Sequence, residues 1–386
     1  MNPALALKPH GHPQSLSRGA AGIALLHIER AATGHDDWNI AHAWLTDATS
    51  APLTLGPQAN LLFGAPALAF ALHGTTVWPD RDEHALATLD HHVALLVRQR
   101  LDRAHTRIDL GTQPSLAEFD LFKGLTGLGA HLLRRHPGSD LLADVLIYLV
   151  QLTQPLGRDE LPGWWTHEQP TGGRTPGTTG GHGNLGMAHG ISGPLALLSR
   201  ALLSGISVDG QSEAIARICA WTDTWQQHDP AGPWWPEIIT LPETRTGHTR
   251  QTRPARPSWC YGTPGHARAQ QLAALALGDP ARQQQAEYAL TACLTDPAQL
   301  RQLTEPGLCH GVAGVYQTVW RAARDARTSS LSTHLPVLAE LLAEHAAIAQ
   351  NDTGLLDGAA GLALAMHTAT HRTPPHTGWD TCLLIT

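Results

Sequence analysis

A recurring pair of glycines constrains the fold of this chain more than any other feature. Seven copies of a G-x-x-G pair each precede an apolar run, although one copy, 63–71, has Ala67 in place of the second glycine. The first glycines are Gly19, Gly64, Gly124, Gly190, Gly262, Gly311 and Gly358. Consecutive copies are 45 to 72 residues apart, which is enough for a helical hairpin. One copy alone would mean little, but seven predict a repeat architecture.

Amphipathic segments alternate with these glycine-led runs. Five of them have apolar residues at the 3.6-residue period of a helix, with Asp or Ser near the N-cap position: 82–104, 140–153, 212–225, 279–294 and 336–349. The alternation predicts an all-α fold of about seven hairpins, with glycine-led helices inside and amphipathic helices outside. The first and last copies resemble the others, whereas an open solenoid needs polar end caps. We therefore expect a closed ring, an α/α toroid, formed by a single domain spanning 1–386.

Two irregular segments interrupt the repeat. Residues 153–184 and 228–258 are rich in Pro, Gly, Thr and Trp, and predict long loops with short strands at one mouth of the ring. Long loops in compact domains are commonly functional, so we expect these insertions to border the substrate entrance. Four tryptophans are expected there: Trp164, Trp165, Trp234 and Trp235. The paired glycines themselves are expected to let neighbouring inner helices approach closely.

Composition excludes several classes of function. The formal net charge is -7 and the sequence has no basic stripe, which disfavours a nucleic-acid partner. The most apolar stretch, 61–72, is too short to span a membrane, and the first residues lack the apolar core of a signal peptide. Five cysteines are too few for a disulfide scaffold of 386 residues. We expect a cytoplasmic protein with reduced thiols and no membrane insertion.

The residues in front of the glycines are chemically distinctive in consecutive copies. Two places before the first glycine stand Cys260 and Cys309, and one place later stand His189, Tyr261 and His310. A closed ring points equivalent helix starts at a common centre, so Cys260, Cys309 and His310 are predicted to lie together. Two thiolates and one imidazole suit a zinc ion whose fourth position is open to water or substrate.

The donor set indicates the kind of chemistry. Zinc with two thiolates and a neutral imidazole has no net charge, so it is a poor Lewis acid for hydrolysis but still lowers the pKa of an incoming thiol. The stretch 167–171 also lacks the second histidine of the H-E-x-x-H protease motif. An isolated cysteine is more often a small buried apolar residue. We keep that interpretation for Cys219, Cys293 and Cys382.

Several stretches together resemble the lanthionine synthetase C family of lanthipeptide cyclases. They are 119–129, 183–198, 256–265, 309–314, 354–365 and 379–384, and S-W-C-Y-G-x-P-G with C-H-G is the most specific combination. The resemblance implies an α/α toroid with one zinc ion bound by Cys260, Cys309 and His310. It also implies that His189 is a general acid and base. Three further residues are implied in the active site: Asp120, Arg256 and Tyr261.

The resemblance further implies a reaction and partners. A cysteine thiolate of a dehydrated precursor peptide would add to dehydroalanine or dehydrobutyrine, giving a lanthionine or methyllanthionine thioether. A separate dehydratase and an exporter would be the protein partners. Two alternatives stay open: addition of glutathione to dehydrated residues, and a zinc-stabilised peptide-binding scaffold without turnover. Loss of free thiols from the bound precursor would distinguish an enzyme from the scaffold.

Overall fold

The structure is a computed structural model that describes residues 11–78, 81–157, 160–168, 180–348 and 352–386. The chain divides into two compact units, each formed by separate stretches. The first comprises Met1–Val93, Thr304–Gln317 and Pro336–Asp380; the second comprises Ala94–Leu303, Thr318–Leu335 and Thr381–Thr386.

The described residues are mainly helical, as predicted. The α-helices are α1 (Ala20–Ala32), α2 (Trp38–Ala48), α3 (Ala65–His73), α4 (Glu83–Asp109), α5 (Leu116–Phe119), α6 (Leu125–Arg135), α7 (Asp140–Leu152), α8 (Ser192–Leu203), α9 (Gln211–Asp223), α10 (Leu241–Thr246), α11 (Thr263–Leu277), α12 (Pro280–Thr295), α13 (Pro297–Leu300), α14 (Val312–Asp325), α15 (Leu335–Ala347) and α16 (Ala359–His371). Short 3-10 helices follow at Gly74–Val77, Leu331–His334 and Trp379–Leu383. Within the described part of the chain, every helix is too short or too polar to cross a bilayer.

The predicted alternation of helix types is present. The seven glycine copies lead into α1, α3, α6, α8, α11, α14 and α16, which are largely buried. The five amphipathic segments form α4, α7, α9, α12 and α15, which keep one face exposed. Helix α2 was not among the predicted segments. It begins after Asp37, whose side chain accepts a hydrogen bond from the backbone N–H of Asn39 as a helix cap does.

The second glycines of two pairs, Gly265 and Gly314, face a nearer neighbour than another helix. A Cβ atom on Gly265 would lie 1.9 Å from the carbonyl oxygen of Trp259, and one on Gly314 would lie 1.9 Å from that of Leu308. In both cases the close neighbour is the backbone of the loop six residues earlier, so the expectation of close helix-to-helix approach was wrong at these positions. The N–H groups of both glycines donate to carbonyls of the same loops. The glycines therefore fold each loop onto its helix start and fix the residues between them.

Three of the four short strands of the described residues lie within the two insertions, and the fourth, Gln227–His228, begins one residue before the second insertion. Strand β1 (His182–Asn184) pairs antiparallel with β4 (Ile238–Thr240), with Gly183 opposite Ile239. Strand β2 (Gln227–His228) pairs antiparallel with β3 (Pro233–Trp234). The short strands were predicted, but α10, which lies in the second insertion, was not. Residues 158–159 and 169–179 of the first insertion lie outside the described residues.

The four tryptophans of the insertions are core residues of the second unit. Trp164, Trp165, Trp234 and Trp235 are each at most 6% exposed. Trp165 donates its indole N–H to the carbonyl of Gly180 at 2.8 Å, which anchors the end of the first insertion. These indoles pack inside the protein instead of presenting a surface to solvent. A location of the insertions beside the substrate entrance stays a prediction.

Candidate functional site

A buried carboxylate holds one nitrogen of His189. Asp120 follows α5 and is fully buried, and its Oδ1 accepts hydrogen bonds from the backbone N–H of Lys123 at 2.5 Å and of Gly124 at 2.8 Å. Its Oδ2 lies 2.6 Å from Nδ1 of His189. A carboxylate facing Nδ1 selects the tautomer with hydrogen on Nδ1. Nε2 of His189 therefore keeps its lone pair for proton transfer.

The His189 segment is tied to the Cys260 loop through the backbone. The N–H groups of Met187 and Ala188 donate to the carbonyl oxygen of Cys260 at 2.8 and 3.3 Å. The carbonyl oxygen of Ala188 accepts from the N–H of Leu121 at 3.1 Å, next to Asp120. His189 is thereby held between the loop that carries the aspartate and the loop that carries the cysteine.

Tyr261 packs beside His189 and is supported by a residue that the sequence did not reveal. The ring centroids of Tyr261 and His189 are 6.4 Å apart. Asn184 is fully buried and donates from Nδ2 to the Tyr261 hydroxyl at 2.9 Å. Burial raises the pKa of Tyr261 well above its ordinary value, although the Asn184 hydrogen bond opposes this. Tyr261 is thus a neutral phenol whose O–H remains a donor.

Ser258 organises the loop that carries Cys260. Its Oγ accepts hydrogen bonds from the N–H of Tyr261 at 3.3 Å and of Gly262 at 2.9 Å. The Cys260 thiol lies 3.6 Å from the same oxygen and is 8% exposed. Arg256 stands at the start of this loop and is half-buried. Sequence reasoning passed over Ser258, although it lies in the same motif as Cys260.

Cys309 and His310 occupy the corresponding loop in front of α14. The N–H of Cys309 donates to the carbonyl of Leu356 at 2.9 Å, and both side chains are partly exposed. Nδ1 of His310 lies 3.8 Å from Oδ1 of Asp357. That buried oxygen has no hydrogen-bond partner among the described residues, while Oδ2 of Asp357 is 3.3 Å from Arg18. At 3.8 Å the two atoms are at ion-pair distance and too far apart for a hydrogen bond, so Asp357 is a carboxylate beside the His310 ring.

The residues predicted as metal ligands come together. One ligand atom from each of Cys260, Cys309 and His310 lies within 4.8 Å of the other two. Two sulfur atoms and one imidazole nitrogen suit zinc, and a histidine ligand ordinarily donates its second N–H to a carboxylate. The orphaned oxygen of Asp357 lies 3.8 Å from Nδ1 of His310, on the side where such a carboxylate would be needed if Nε2 bound the metal. The residues present therefore fit a zinc ion.

A second group of candidate metal ligands lies in the first unit and was not predicted. His35, His367 and His371 each offer a nitrogen within 4.8 Å of the others. Burial, together with the neighbouring His371 and His35, lowers the pKa of His367 to about 4. The signal available in the sequence was the four-residue spacing of His367 and His371, which places them on one face of a helix.

Fold and site together define the class of the protein. It is an all-α protein of glycine-led helical repeats that carries a thiol-rich candidate metal centre and a partly exposed histidine held by a buried aspartate. The model of the family described as lanthionine synthetase C-like protein matches residues 11–384. The chain therefore belongs to the lanthionine synthetase C-like family.

Individual relatives agree with this assignment. The nisin biosynthesis protein NisC of Lactococcus lactis subsp. lactis is 21% identical over 316 residues, which cover 80% of this chain and 73% of the relative. The solved structure of nisin cyclase superposes with a TM-score of 0.81 at 20% identity, covering 97% of this chain and 92% of that one. This likeness shows the fold and confirms the predicted class, an all-α α/α toroid. The family match confirms the prediction of a lanthionine synthetase C-like cyclase.

Proposed function

We propose that this enzyme is a zinc-dependent lanthipeptide cyclase, which joins cysteine thiols of a precursor peptide to its dehydrated residues. The observation that carries the proposal is the pair of backbone hydrogen bonds from Met187 and Ala188 to the Cys260 carbonyl. They hold a proton carrier, His189, next to a loop that offers a metal-binding thiol. One relative is named for nisin biosynthesis, which supports a peptide substrate.

Three side chains would hold the zinc ion. Cys260 and Cys309 would bind through Sγ and His310 through Nε2, with the Asp357 carboxylate on the Nδ1 side of the His310 ring. A bound zinc ion lowers the pKa of a thiol at its open position and so supplies a nucleophilic substrate thiolate near neutral pH.

The chain's own residues would move the protons of the reaction. The substrate sulfur forms a bond to the β-carbon of dehydroalanine or dehydrobutyrine, and the electrons of the carbon–carbon double bond pass to the enolate. The thiol loses one proton and the α-carbon gains one, so the product has the same atoms as the substrate. Nε2 of His189 would relay this proton, while Asp120 holds Nδ1–H and keeps the ring in place.

Tyr261 and Arg256 complete the proposed active site. Tyr261 has a neutral hydroxyl beside the His189 ring and suits donation to a developing oxyanion. Arg256 precedes Cys260 by four residues and brings a guanidinium to the same loop, where it would bind carbonyl oxygens of the peptide.

The proposal includes the cellular setting. The substrate would be a dehydrated precursor peptide with leader and core, supplied by a separate dehydratase and passed to an exporter. A cytoplasmic location, predicted from the low cysteine content, belongs to the same proposal. A single cyclase domain over 1–386, with the insertions 153–184 and 228–258 near the substrate entrance, is part of the same proposal.

The variant His189→Asn separates binding from proton transfer. We expect zinc content and precursor affinity to be retained while cyclisation of bound substrate falls about 10²- to 10⁴-fold, the contribution usual for general acid–base catalysis. Thiol loss should be followed in single turnover near pH 7, against an enzyme-free reaction. The variant His84→Asn, which changes an exposed histidine, serves as the matched control. Wild-type cyclisation by His189→Asn would refute the role.

A further inference from the structure

We propose that His35, His367 and His371 form a second metal site, which binds a divalent transition-metal ion such as zinc. Each offers a ring nitrogen within 4.8 Å of the other two. The ring centroids are 4.3 Å apart for His367 and His371, 4.3 Å for His35 and His371, and 5.1 Å for His35 and His367. All three belong to the first unit, and the inference does not depend on the proposed function.

Two elements of the first unit bring these rings together. His367 and His371 lie one turn apart at the end of α16, so their side chains share one face. His35 lies in the turn after α1, where its N–H donates to the carbonyl of Arg30 at 2.7 Å. Helices α1 and α16 pack against each other. An ion held by the three rings would join these two helices, which lie near opposite ends of the sequence.

The hydroxyl of Thr33 orients two of the rings. Thr33 Oγ1 is placed to donate its single proton to the carbonyl of Glu29 at 2.9 Å or of Arg30 at 3.2 Å. It lies 3.1 Å from Nδ1 of His35 and 3.1 Å from Nε2 of His367. With that proton on a carbonyl, the hydroxyl accepts from both rings, so Nδ1 of His35 and Nε2 of His367 carry hydrogen and the lone pairs lie on Nε2 of His35 and Nδ1 of His367. Histidine ligands of metals are ordinarily fixed in this way through the second ring nitrogen.

The surrounding charges favour an all-nitrogen site. Asp36 is already engaged, because its Oδ2 lies 2.7 Å from Nδ1 of His27 and 2.9 Å from Nε of Arg30. That salt bridge also offsets the Arg30 charge, which would otherwise repel a cation. The last turn of α16 presents its carbonyl end, the negative end of the helix dipole, to the same region.

The number and kind of donors select the class of ion. Three neutral imidazoles suit zinc, cobalt, nickel or copper, whereas calcium and magnesium require oxygen donors. Zinc–nitrogen bonds are about 2.0–2.1 Å, so the rings need to close slightly around an ion. His35 and His371 are exposed, so the ion can enter from solvent and water can fill the fourth position.

Cobalt titration of the chelator-treated full-length protein distinguishes this site from the cysteine-containing one. Cobalt bound to thiolates gives intense sulfur-to-metal charge-transfer absorption, which an all-nitrogen site lacks. We expect two equivalents per wild-type chain, and one equivalent without charge-transfer absorption in Cys309→Ala. His371→Gln and His367→Gln should keep the thiolate absorption and lose one equivalent. The control variant His42→Gln, which changes an exposed histidine of the first unit, should still bind two equivalents of cobalt.

The orientation by Thr33 has its own test. Thr33→Val removes the acceptor and should weaken the all-nitrogen site about 10- to 100-fold, with the thiolate absorption and the helical circular dichroism unchanged. An unchanged affinity would overturn the orientation argument. A single equivalent in wild type that disappears in Cys309→Ala would overturn the second site, as would two equivalents in both His371→Gln and His367→Gln.

Discussion

Replacing Asp120 by asparagine removes one acceptor from a site that needs two. Oδ1 of Asp120 already accepts from the N–H groups of Lys123 and Gly124, and Oδ2 accepts from His189. Asparagine has one oxygen. If that oxygen stays with the two backbone N–H groups, its NH₂ group faces Nδ1 of His189. Nδ1 must then become an acceptor, and the hydrogen moves to Nε2, where the proposed base needs a lone pair.

The size of the effect follows from the lost hydrogen bond. The contact is short, at 2.6 Å, and lies in a buried position with a charged acceptor. Hydrogen bonds to charged groups contribute about 1.5–3 kcal/mol, and each 1.36 kcal/mol changes a rate tenfold. Asp120→Asn should therefore slow cyclisation of bound substrate about 10- to 150-fold. Zinc content should not change, because Asp120 is not among the candidate ligands.

A double-mutant cycle tests whether Asp120 acts through His189. Thiol loss from a dehydrated precursor would be measured in single turnover for Asp120→Asn, His189→Asn and the double variant. If the aspartate works only by holding the histidine, the double variant should be no slower than His189→Asn alone. Multiplicative losses would show that Asp120 acts separately, and a wild-type rate for Asp120→Asn would refute the reasoning.

Two further predictions concern the metal and the core. Cys309→Ala should lose one zinc ion and cyclisation while staying folded, because an open three-ligand site is typical of catalytic zinc; elemental analysis showing unchanged zinc would contradict the ligand assignment. Burial lowers the pKa of His266 to about 4, and its Nδ1 lies 2.8 Å from Ser192 Oγ. Since the neutral form is favoured in the fold, stability should fall as pH drops from 6.5 towards 4, by up to about 3 kcal/mol. His266→Gln should flatten the dependence of Tm on pH in this range; an unchanged slope would assign the loss to other groups.

The repeat made much of the fold predictable, since glycine spacing and helical periodicity are local properties of the sequence. The equivalent sequence positions in front of α11 and α14 also predicted Cys260, Cys309 and His310 as metal ligands, and one ligand atom of each lies within 4.8 Å of the others. The support of Tyr261 by Asn184 was not predictable, because an amide buried between two loops gives no periodic signal. The same holds for His35, which meets α16 only through the packing of helices far apart in sequence.

The sequence also could not show which neighbouring group requires glycine at the repeated positions. A position that requires glycine indicates that another group lies close to its Cα atom, but the sequence does not identify that group. The neighbour of Gly265 proved to be the carbonyl of Trp259, in the loop that presents Cys260. The repeat therefore fixes the position of the candidate ligands as well as the start of each helix. Predicting this requires the path of the loop, which spacing alone does not give.

Counting free thiols on a bound precursor tests the central claim most directly. Zinc-loaded enzyme would be mixed with dehydrated precursor near pH 7, quenched over time, and treated with a thiol-alkylating reagent before mass spectrometry. The account predicts that the number of thiols that can be alkylated falls with time, while the mass of the peptide before alkylation does not change. Zinc-free enzyme and the His189→Asn variant should lose these thiols much more slowly. Precursor that binds tightly yet keeps every thiol would show a scaffold instead of a cyclase. A peptide that gains the mass of added glutathione and keeps its own thiols would contradict intramolecular cyclisation.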